Sequence, residues 1–258
     1  MLFNLLFELS SEDRYSLLLH LQKQPQRLSN LARDLKFSRQ EASRNLARLS
    51  RAQLVHREVD GVFHLTSYGE QVLKFLPGFN FLSQYTDYFT THTLSDLPRE
   101  FFYRIGELVN CPYIDDALLT FDDCERLFNQ AQEQIWFITH QHAVSMLPYM
   151  QHALQRGVQI RVIVPTDFPT PPGYLEHDFV QSFLKVSQAA IQSGLYQVRQ
   201  LDRLDICLSV ADPIQGRIVF PTLDRDFDYK GFKVIDNTSH RFCQDLFLYY
   251  WNHAQPQF

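Results

Sequence analysis

The chain has 258 residues, of which 45% are hydrophobic and 21% charged, with a net charge of −5. This length accommodates one large domain or two ordinary ones, and the apolar and aromatic content excludes an intrinsically disordered chain. No apolar run reaches the roughly 18–20 residues that a membrane span needs, and the apolar start lacks the basic segment of a secretion signal. Four cysteines without paired spacing are typical of a reducing cytoplasm, where we expect the protein.

The charge is unevenly distributed along the chain. Residues 1–76 contain eleven Lys and Arg against eight Asp and Glu, a balance of +3, whereas residues 77–258 contain thirteen against twenty-one, a balance of −8. A basic segment joined to an acidic remainder indicates a DNA-binding module attached to a second domain. The break at Pro77-Gly78 gives the predicted organisation: a DNA-binding domain over 1–76, a helical connector over 77–112 and an α/β domain over 113–258.

Helix signals come first in the chain. Hydroxyl and acidic residues at 10–13 begin a helix that ends before Pro25, a second helix begins at Ser29, and Ser38 caps a third. The third helix buries Ala42, Leu46 and Leu49 at helical spacing.

The period then changes from 3.6 to 2. Residues 54–59 and 62–66 flank Asp60-Gly61, which predicts a β-hairpin in which both turn residues have positive φ. A last helix begins at Ser67 and ends near Leu76. Three helices followed by a hairpin predict a winged helix-turn-helix.

In such a fold the third helix enters the major groove of duplex DNA, and the wing reaches phosphates or the minor groove. Arginine and glutamine pair with guanine and adenine edges, whereas phosphate contacts add affinity without sequence preference. The residues predicted to point outward from the start of the third helix are Arg39, Gln40, Ser43 and Arg44. The residues predicted to contact phosphates are Ser43, Arg48, Arg57 and His64.

The remainder predicts an α/β domain with a mixed sheet. Helices are expected over 80–91 and 98–108. A helix over 117–133, a strand over 135–139, a helix over 143–156 and a strand over 158–165 then form a parallel βαβ unit. A helix over 174–193, strands near 196–201, 206–211 and 217–220, and a helix over 239–252 complete the chain.

Short motifs are spread along nearly the whole chain. They are Leu28–Leu35, Glu41–Leu49, Leu54–Arg57, Leu65–Gly69, Leu76–Phe79, Asp96–Pro98, Ile105–Leu108, Ile135–Ile138, Pro172-Gly173, Phe220-Pro221, Asp228–Phe232, Cys243–Phe247 and Tyr250-Trp251. In this order they resemble archaeal winged-helix regulators whose C-terminal domain is named after the methanogenesis regulatory protein. This resemblance implies an archaeal regulator and an α/β sensor domain related in fold to half of a phospholipase D, without catalysis.

Phospholipase D chemistry needs His, Lys and Asp spaced H-x-K-x-x-x-x-D. In the segment 205–212 Asp205 stands where the histidine is needed and Cys207 where the lysine is needed, and Asp212 alone keeps its type. We therefore expect no enzymatic activity. The pair His140 and His142 after a strand could share a metal, but a polar loop explains it as well, and neither a metal nor a cofactor is expected.

Ligands of open α/β sheets bind beyond the carboxyl ends of the parallel strands. A loop over 169–174 could cover that edge, and an anionic effector would suit His140 and the nearby helix N-terminus. The expected effector-binding residues are His140, Gln141, Asp167, Phe168 and Tyr174.

These features predict a homodimeric, sequence-specific regulator of transcription that binds double-stranded operator DNA and is controlled by a small-molecule effector. Its two recognition helices would enter successive major grooves about 34–36 Å apart. The alternative is an interaction module in which the winged helix recruits transcription machinery and the second domain only dimerises.

Overall fold

A computed structural model describes residues 2–168 and 170–256 of the chain. Contacts divide the chain into two compact units, residues 1–77 and residues 78–258. None of the described helices is long and apolar enough to cross a membrane.

The first unit contains helices and short strands in the order expected for a winged helix. A three-stranded antiparallel sheet with the order β1-β3-β2 completes it. Its core includes Leu17, Leu31, Leu46 and Leu54, which are fully buried. The elements are α1 (Leu2–Leu9), α2 (Glu12–Lys23), β1 (Gln26–Arg27), α3 (Leu28–Asp34), α4 (Arg39–Arg51), β2 (Val55–Arg57), β3 (Val62–Leu65) and α5 (Ser67–Gln84).

The turn of the wing differs from the prediction. Gly61 has φ 87°, but Asp60 has no positive φ. Gly61 donates its N–H to the Glu58 carbonyl, and Glu58 donates to the Val62 carbonyl. The turn is therefore wider than a two-residue turn, and one residue with positive φ suffices.

Helix α5 also runs further than predicted: it continues past Leu76 to Gln84, and Pro77 lies inside it. A proline in a helix removes one hydrogen bond and costs about 3 kcal/mol. Leu73 before the proline and Phe81 after it are both buried, each in the core of its own unit. Burial of apolar side chains on either side of Pro77 offsets the lost hydrogen bond.

The second unit is built on a mixed sheet, which among the described residues has eight strands. The strand order is β11-β7-β6-β5-β8-β9-β10-β4; the pairs β5–β6 and β6–β7 are parallel, and the others are antiparallel. The strands are β4 (Tyr113–Ile114), β5 (Gln134–Ile138), β6 (Gln159–Pro165), β7 (Tyr196–Leu201), β8 (Cys207–Ala211), β9 (Gln215–Val219), β10 (Gly231–Lys233) and β11 (Gln255–Pro256).

Both faces of this sheet are covered. Helices α8, α9 and α10 pack on one face, and α11 packs on the other with α6, α7 and the end of α5. The predicted α/β class with a mixed sheet and a parallel βαβ unit is confirmed. The helices are α6 (Thr86–Thr91), α7 (Arg99–Tyr103), α8 (Ala117–Gln130), α9 (Leu147–Gln155), α10 (Asp178–Gln192) and α11 (Asn237–His253), with 3-10 turns at Ile105–Leu108 and Val144–Met146.

Candidate nucleic-acid interface and ligand cavity

The start of α4 is fixed by a capping box. The Ser38 hydroxyl accepts a hydrogen bond from the backbone N–H of Glu41 at 3.1 Å, and the Glu41 carboxylate accepts from the backbone N–H of Ser38 at 3.2 Å. This reciprocal pair satisfies backbone donors that would otherwise lack partners. It sets which side chains of α4 face outward.

Helix α4 has two distinct faces. Ala42, Asn45, Leu46 and Leu49 are buried against the rest of the first unit. Within the described part of the chain, no carboxylate forms an ion pair with Arg39 or Arg44. The four residues predicted to read DNA all lie on the exposed face: Arg39, Gln40, Ser43 and Arg44.

Arg48 lies on the same helix but is engaged within the unit. Its guanidinium donates to both carboxylate oxygens of Glu8, at 2.7 and 3.0 Å, and lies 5.1 Å from the centre of the Phe7 ring. Glu8 also forms an ion pair with Arg14 at 2.9 Å. Hydrogen bonding from Arg48 lowers the pKa of Glu8. This pairing argues against the phosphate contact predicted for Arg48. The pairing could not be predicted from the sequence, because Glu8 lies 40 residues from Arg48.

The wing carries the two other predicted phosphate contacts. Arg57 is exposed, with its guanidinium 5.7 Å from the centre of the Phe63 ring. His64 on β3 stacks on His56 of β2, with ring centres 5.2 Å apart.

Glu58 follows β2, and its carboxylate lies 3.6 Å from His64 Nε2 and 3.9 Å from His56 Nε2. Potential ligand atoms of these three side chains all lie within 4.8 Å of one another. Two imidazoles and a carboxylate are ligands that zinc accepts. The wing thus brings together a set of the first unit that could hold a metal, whereas the His140 and His142 pair considered from the sequence belongs to the second unit.

A cavity of about 200 Å³ lies in the second unit, next to the carboxyl ends of β5 and β6. Three of the predicted effector-binding residues line it: Gln141, Phe168 and Tyr174. Asp167 is exposed and does not line it. The predicted covering loop includes Pro169, which lies outside the described residues.

His140 lies behind the wall of this cavity rather than in it. Its Nε2 is 3.0 Å from the Tyr229 hydroxyl, and its Nδ1 is 3.3 Å from Cys207 Sγ. Burial lowers the pKa of His140, which favours the neutral ring at neutral pH. A neutral imidazole attracts anions weakly, so the structure gives no support to the predicted anion contact at His140.

His142 lines the cavity beside the two predicted aromatic residues. Its ring centre lies 3.8 Å from that of Phe168 and 4.5 Å from that of Tyr174. Its Nε2 is buried and has no hydrogen-bond partner within residues 2–168 and 170–256, and burial lowers the pKa of His142.

Arg217 on β9 also lines the cavity, although its sequence position did not predict a ligand contact. The residue is 4% exposed. Its Nη2 donates to the carbonyls of Tyr229 and Ile114, at 2.8 and 3.3 Å, whereas Nε and Nη1 have no partner among the described residues. Burial lowers the pKa of Arg217. Its position two residues before Val219 was the signal that could have identified it. Side chains two residues apart on a strand lie on the same face, and Val219 is buried.

The three positions compared with phospholipase D have other partners. Asp205 pairs with Arg203 at 2.9 Å, and Cys207 is buried. The Asp212 carboxylate accepts from the backbone N–H groups of residues 132, 133 and 134 at 2.8–3.0 Å. Burial raises the pKa of Asp212, but the hydrogen bonds from these three donors lower it by more, so the pKa lies below its usual value. Asp212 thus anchors the start of β5.

Comparison with known proteins gives one family match and several similar folds. Residues 4–80 match the family described as the HVO_A0261 N-terminal domain. No curated protein matches the chain.

Three solved structures are similar to parts or most of the chain. TrmBL2, an archaeal chromatin protein, is 12% identical, with 95% of this chain and 94% of that chain covered and a TM-score of 0.44. Nuc, a phospholipase D family member from Salmonella typhimurium, is 8% identical, with 52% and 87% covered and a TM-score of 0.37. NucT from Helicobacter pylori is 8% identical, with 57% and 97% covered and a TM-score of 0.40.

Proposed function

We propose that the protein is a DNA-binding transcription regulator that reads the major groove with α4. The observation that carries this proposal is the exposed polar face of α4, where Arg39 and Arg44 lack ion-pair partners among the described residues. Both arginines lie in the first two turns of α4, the part that approaches base edges in helix-turn-helix proteins. The resemblance of the sequence motifs to archaeal winged-helix regulators supports the same function.

In this proposal three residues contact bases, one contacts either a base or a phosphate, and two contact the DNA backbone. Arg39 and Arg44 pair with guanine, Gln40 pairs with adenine, and Ser43 contacts either a base or a phosphate. Arg57 and His64 on the wing contact phosphates. Arg48 supports α4 through Glu8 and makes no contact with DNA.

We also propose that the protein acts as a homodimer controlled by an effector. Leu2, Phe3 and Leu6 on α1 are exposed by 49–82%, and a second copy of the chain would remove these apolar side chains from water. The cavity of the second unit would hold the effector, and it lies beside the strand ends where α/β sheets bind ligands. We propose no catalytic role for this unit, because Asp205 and Cys207 replace the nucleophile and the phosphate-binding lysine.

Genome-wide footprinting of the bound protein, with Arg44→Ala beside the natural chain, tests the proposal. The proposed dimer predicts protected half-sites with centres one helical turn, about 10–10.5 base pairs, or a multiple of it apart. Arg44→Ala should weaken protection at those sites. An interaction module would give no protection on purified DNA, and that result would contradict the proposal.

A further inference from the structure

The cavity of the second unit combines an apolar wall with a buried cation. Leu127, Phe128, Ile135 and Val162 are among the apolar side chains that line it, and Arg217 lines it on the side of β9. The volume is about 200 Å³. An apolar cavity of about 150 Å³ in another protein accepts benzene, so this one is large enough for a ring or branched chain with a small substituent.

Arg217 carries donors that no described residue satisfies. Three N–H groups, one on Nε and two on Nη1, have no acceptor in the part of the chain that the structure describes. Within the described ranges, no carboxylate lies within the 4 Å of an ion pair with Arg217. The guanidinium remains charged despite burial, and leaving a buried charge without a counter-ion is costly. An anion bound in the cavity would remove that cost.

The neighbourhood of Arg217 indicates how much negative charge fits. Ser209 is the direct cross-strand partner of Arg217 and lines the same cavity, so its hydroxyl can contribute one further donor. No other lysine or arginine lines this cavity among the described residues. One cation and one hydroxyl suit a singly charged carboxylate, whereas a phosphate dianion requires more donors.

We propose that this cavity binds a small monocarboxylic acid with an aromatic or branched apolar body, whose carboxylate accepts hydrogen bonds from Arg217 and Ser209 while the body packs among Phe128, Ile135 and Val162. The proposal gives a chemical class to the effector and in that respect rests on the proposed function. It also moves the anion contact from His140, where the sequence suggested it, to Arg217.

Calorimetry on the full chain without DNA tests the proposal, with benzoate, phenylacetate and 3-methylbutanoate as probes and their uncharged amides as matched controls. The acids should bind. Each amide should have an affinity at least about tenfold lower than that of its acid, because it lacks the charge that Arg217 would pair with. Equal binding of acid and amide, or no heat from any of the three acids, would overturn the proposal. Equal effects of acetate or chloride would show an adventitious anion only, which also overturns it.

Two variants locate the site. Arg217→Met should reduce benzoate affinity about tenfold or more while leaving weak binding of benzamide, which reports that the cavity persists. Arg161→Met is the matched control, because Arg161 packs between Trp136 and Trp251 on the opposite face of the sheet. It should bind benzoate like the natural chain, and equal loss in both variants would contradict the assignment. If Arg217→Met does not fold, the acid and amide comparison decides alone.

Failure of this proposal is distinguishable from failure of the proposed function. Duplex binding by the same preparation is measured separately, by fluorescence anisotropy. DNA binding without acid binding would overturn the effector class alone, whereas acid binding without DNA binding would leave the cavity assignment intact and contradict the regulator.

Discussion

Two arginines on α4 show how neighbouring partners determine the use of a side chain. Arg44 and Arg48 are one turn apart, yet Arg44 is exposed and Arg48 is held by Glu8. The sequence predicted DNA contacts for both arginines, because helical spacing indicates which face of a helix a residue lies on but does not indicate a long-range ion pair. Arg217 shows the reverse case: its strand was predicted, but the pattern could not indicate that its guanidinium is buried without an anion.

At the residue scale, His140 and His142 make the second unit sensitive to acid. Burial lowers the pKa of both histidines in the folded chain. Below about pH 6.5 the unfolded chain therefore binds more protons than the folded chain does. Their contribution to stability is therefore present above that pH and is lost as the pH falls below it. The midpoint of urea unfolding should therefore be lower at pH 5.5 than at pH 7.5. Tryptophan fluorescence measures it, since Trp136 and Trp251 both lie in this unit.

A variant separates these histidines from other groups. His142→Phe keeps a ring beside Phe168 and cannot titrate, so it should reduce the difference between the two midpoints. His253→Asn, at an exposed position of α11, is the control and should not reduce it. An unchanged difference in His142→Phe would contradict the assignment to His142.

At the scale of elements, the long and strongly periodic helices and strands were predictable, whereas short elements were not. Strands β1, β4 and β11 contain two residues each, too few for a period to appear. Helix α5 continues through Pro77 because packing on both sides outweighs the missing hydrogen bond. Local propensity cannot reveal either outcome, because both depend on residues distant in sequence.

The cap of α4 gives a prediction at this scale. Ser38→Ala removes the acceptor for the Glu41 N–H and should lower the free energy of unfolding of the first unit by about 1 kcal/mol. Urea unfolding followed by circular dichroism measures this loss. Ser38→Asp should retain stability, because aspartate also caps helices. An unchanged free energy of unfolding in Ser38→Ala would show that the cap contributes nothing.

At the scale of the whole molecule, the basic first unit is joined to a strongly acidic remainder. A balance of +3 on residues 1–76 against −8 on residues 77–258 favours weak non-specific attraction to DNA. Affinity in this account therefore depends on base contacts by α4 and on pairing of two chains. Charge and motifs predicted a DNA-binding module joined to further domains, whereas the residues that line the cavity depend on strand pairing, which the sequence pattern does not show.

The proposed homodimer gives a prediction of its own. Sedimentation velocity should show a particle of two chains at micromolar concentration, and Phe3→Asp should shift it towards one chain because a charge replaces an exposed apolar side chain of α1. Asp87→Ala, a change on an exposed residue of α6, serves as the control. A single chain at all concentrations would contradict the dimer.

The salt dependence of duplex affinity in the Arg44→Ala and Arg48→Ala variants tests the central claim most directly. A plot of log affinity against log salt concentration has a slope set by the number of phosphates that the protein neutralises. Arg44→Ala should weaken binding of a footprinted site by about 1–3 kcal/mol and reduce the slope by about one unit, because one cation is removed from the surface that faces DNA. Arg48→Ala should leave the slope unchanged, because Arg48 is held by Glu8 within the first unit and contacts no phosphate in the proposed function. Loss of slope in Arg48→Ala, with Arg44→Ala binding like the natural chain, would contradict the reading of DNA by the exposed face of α4.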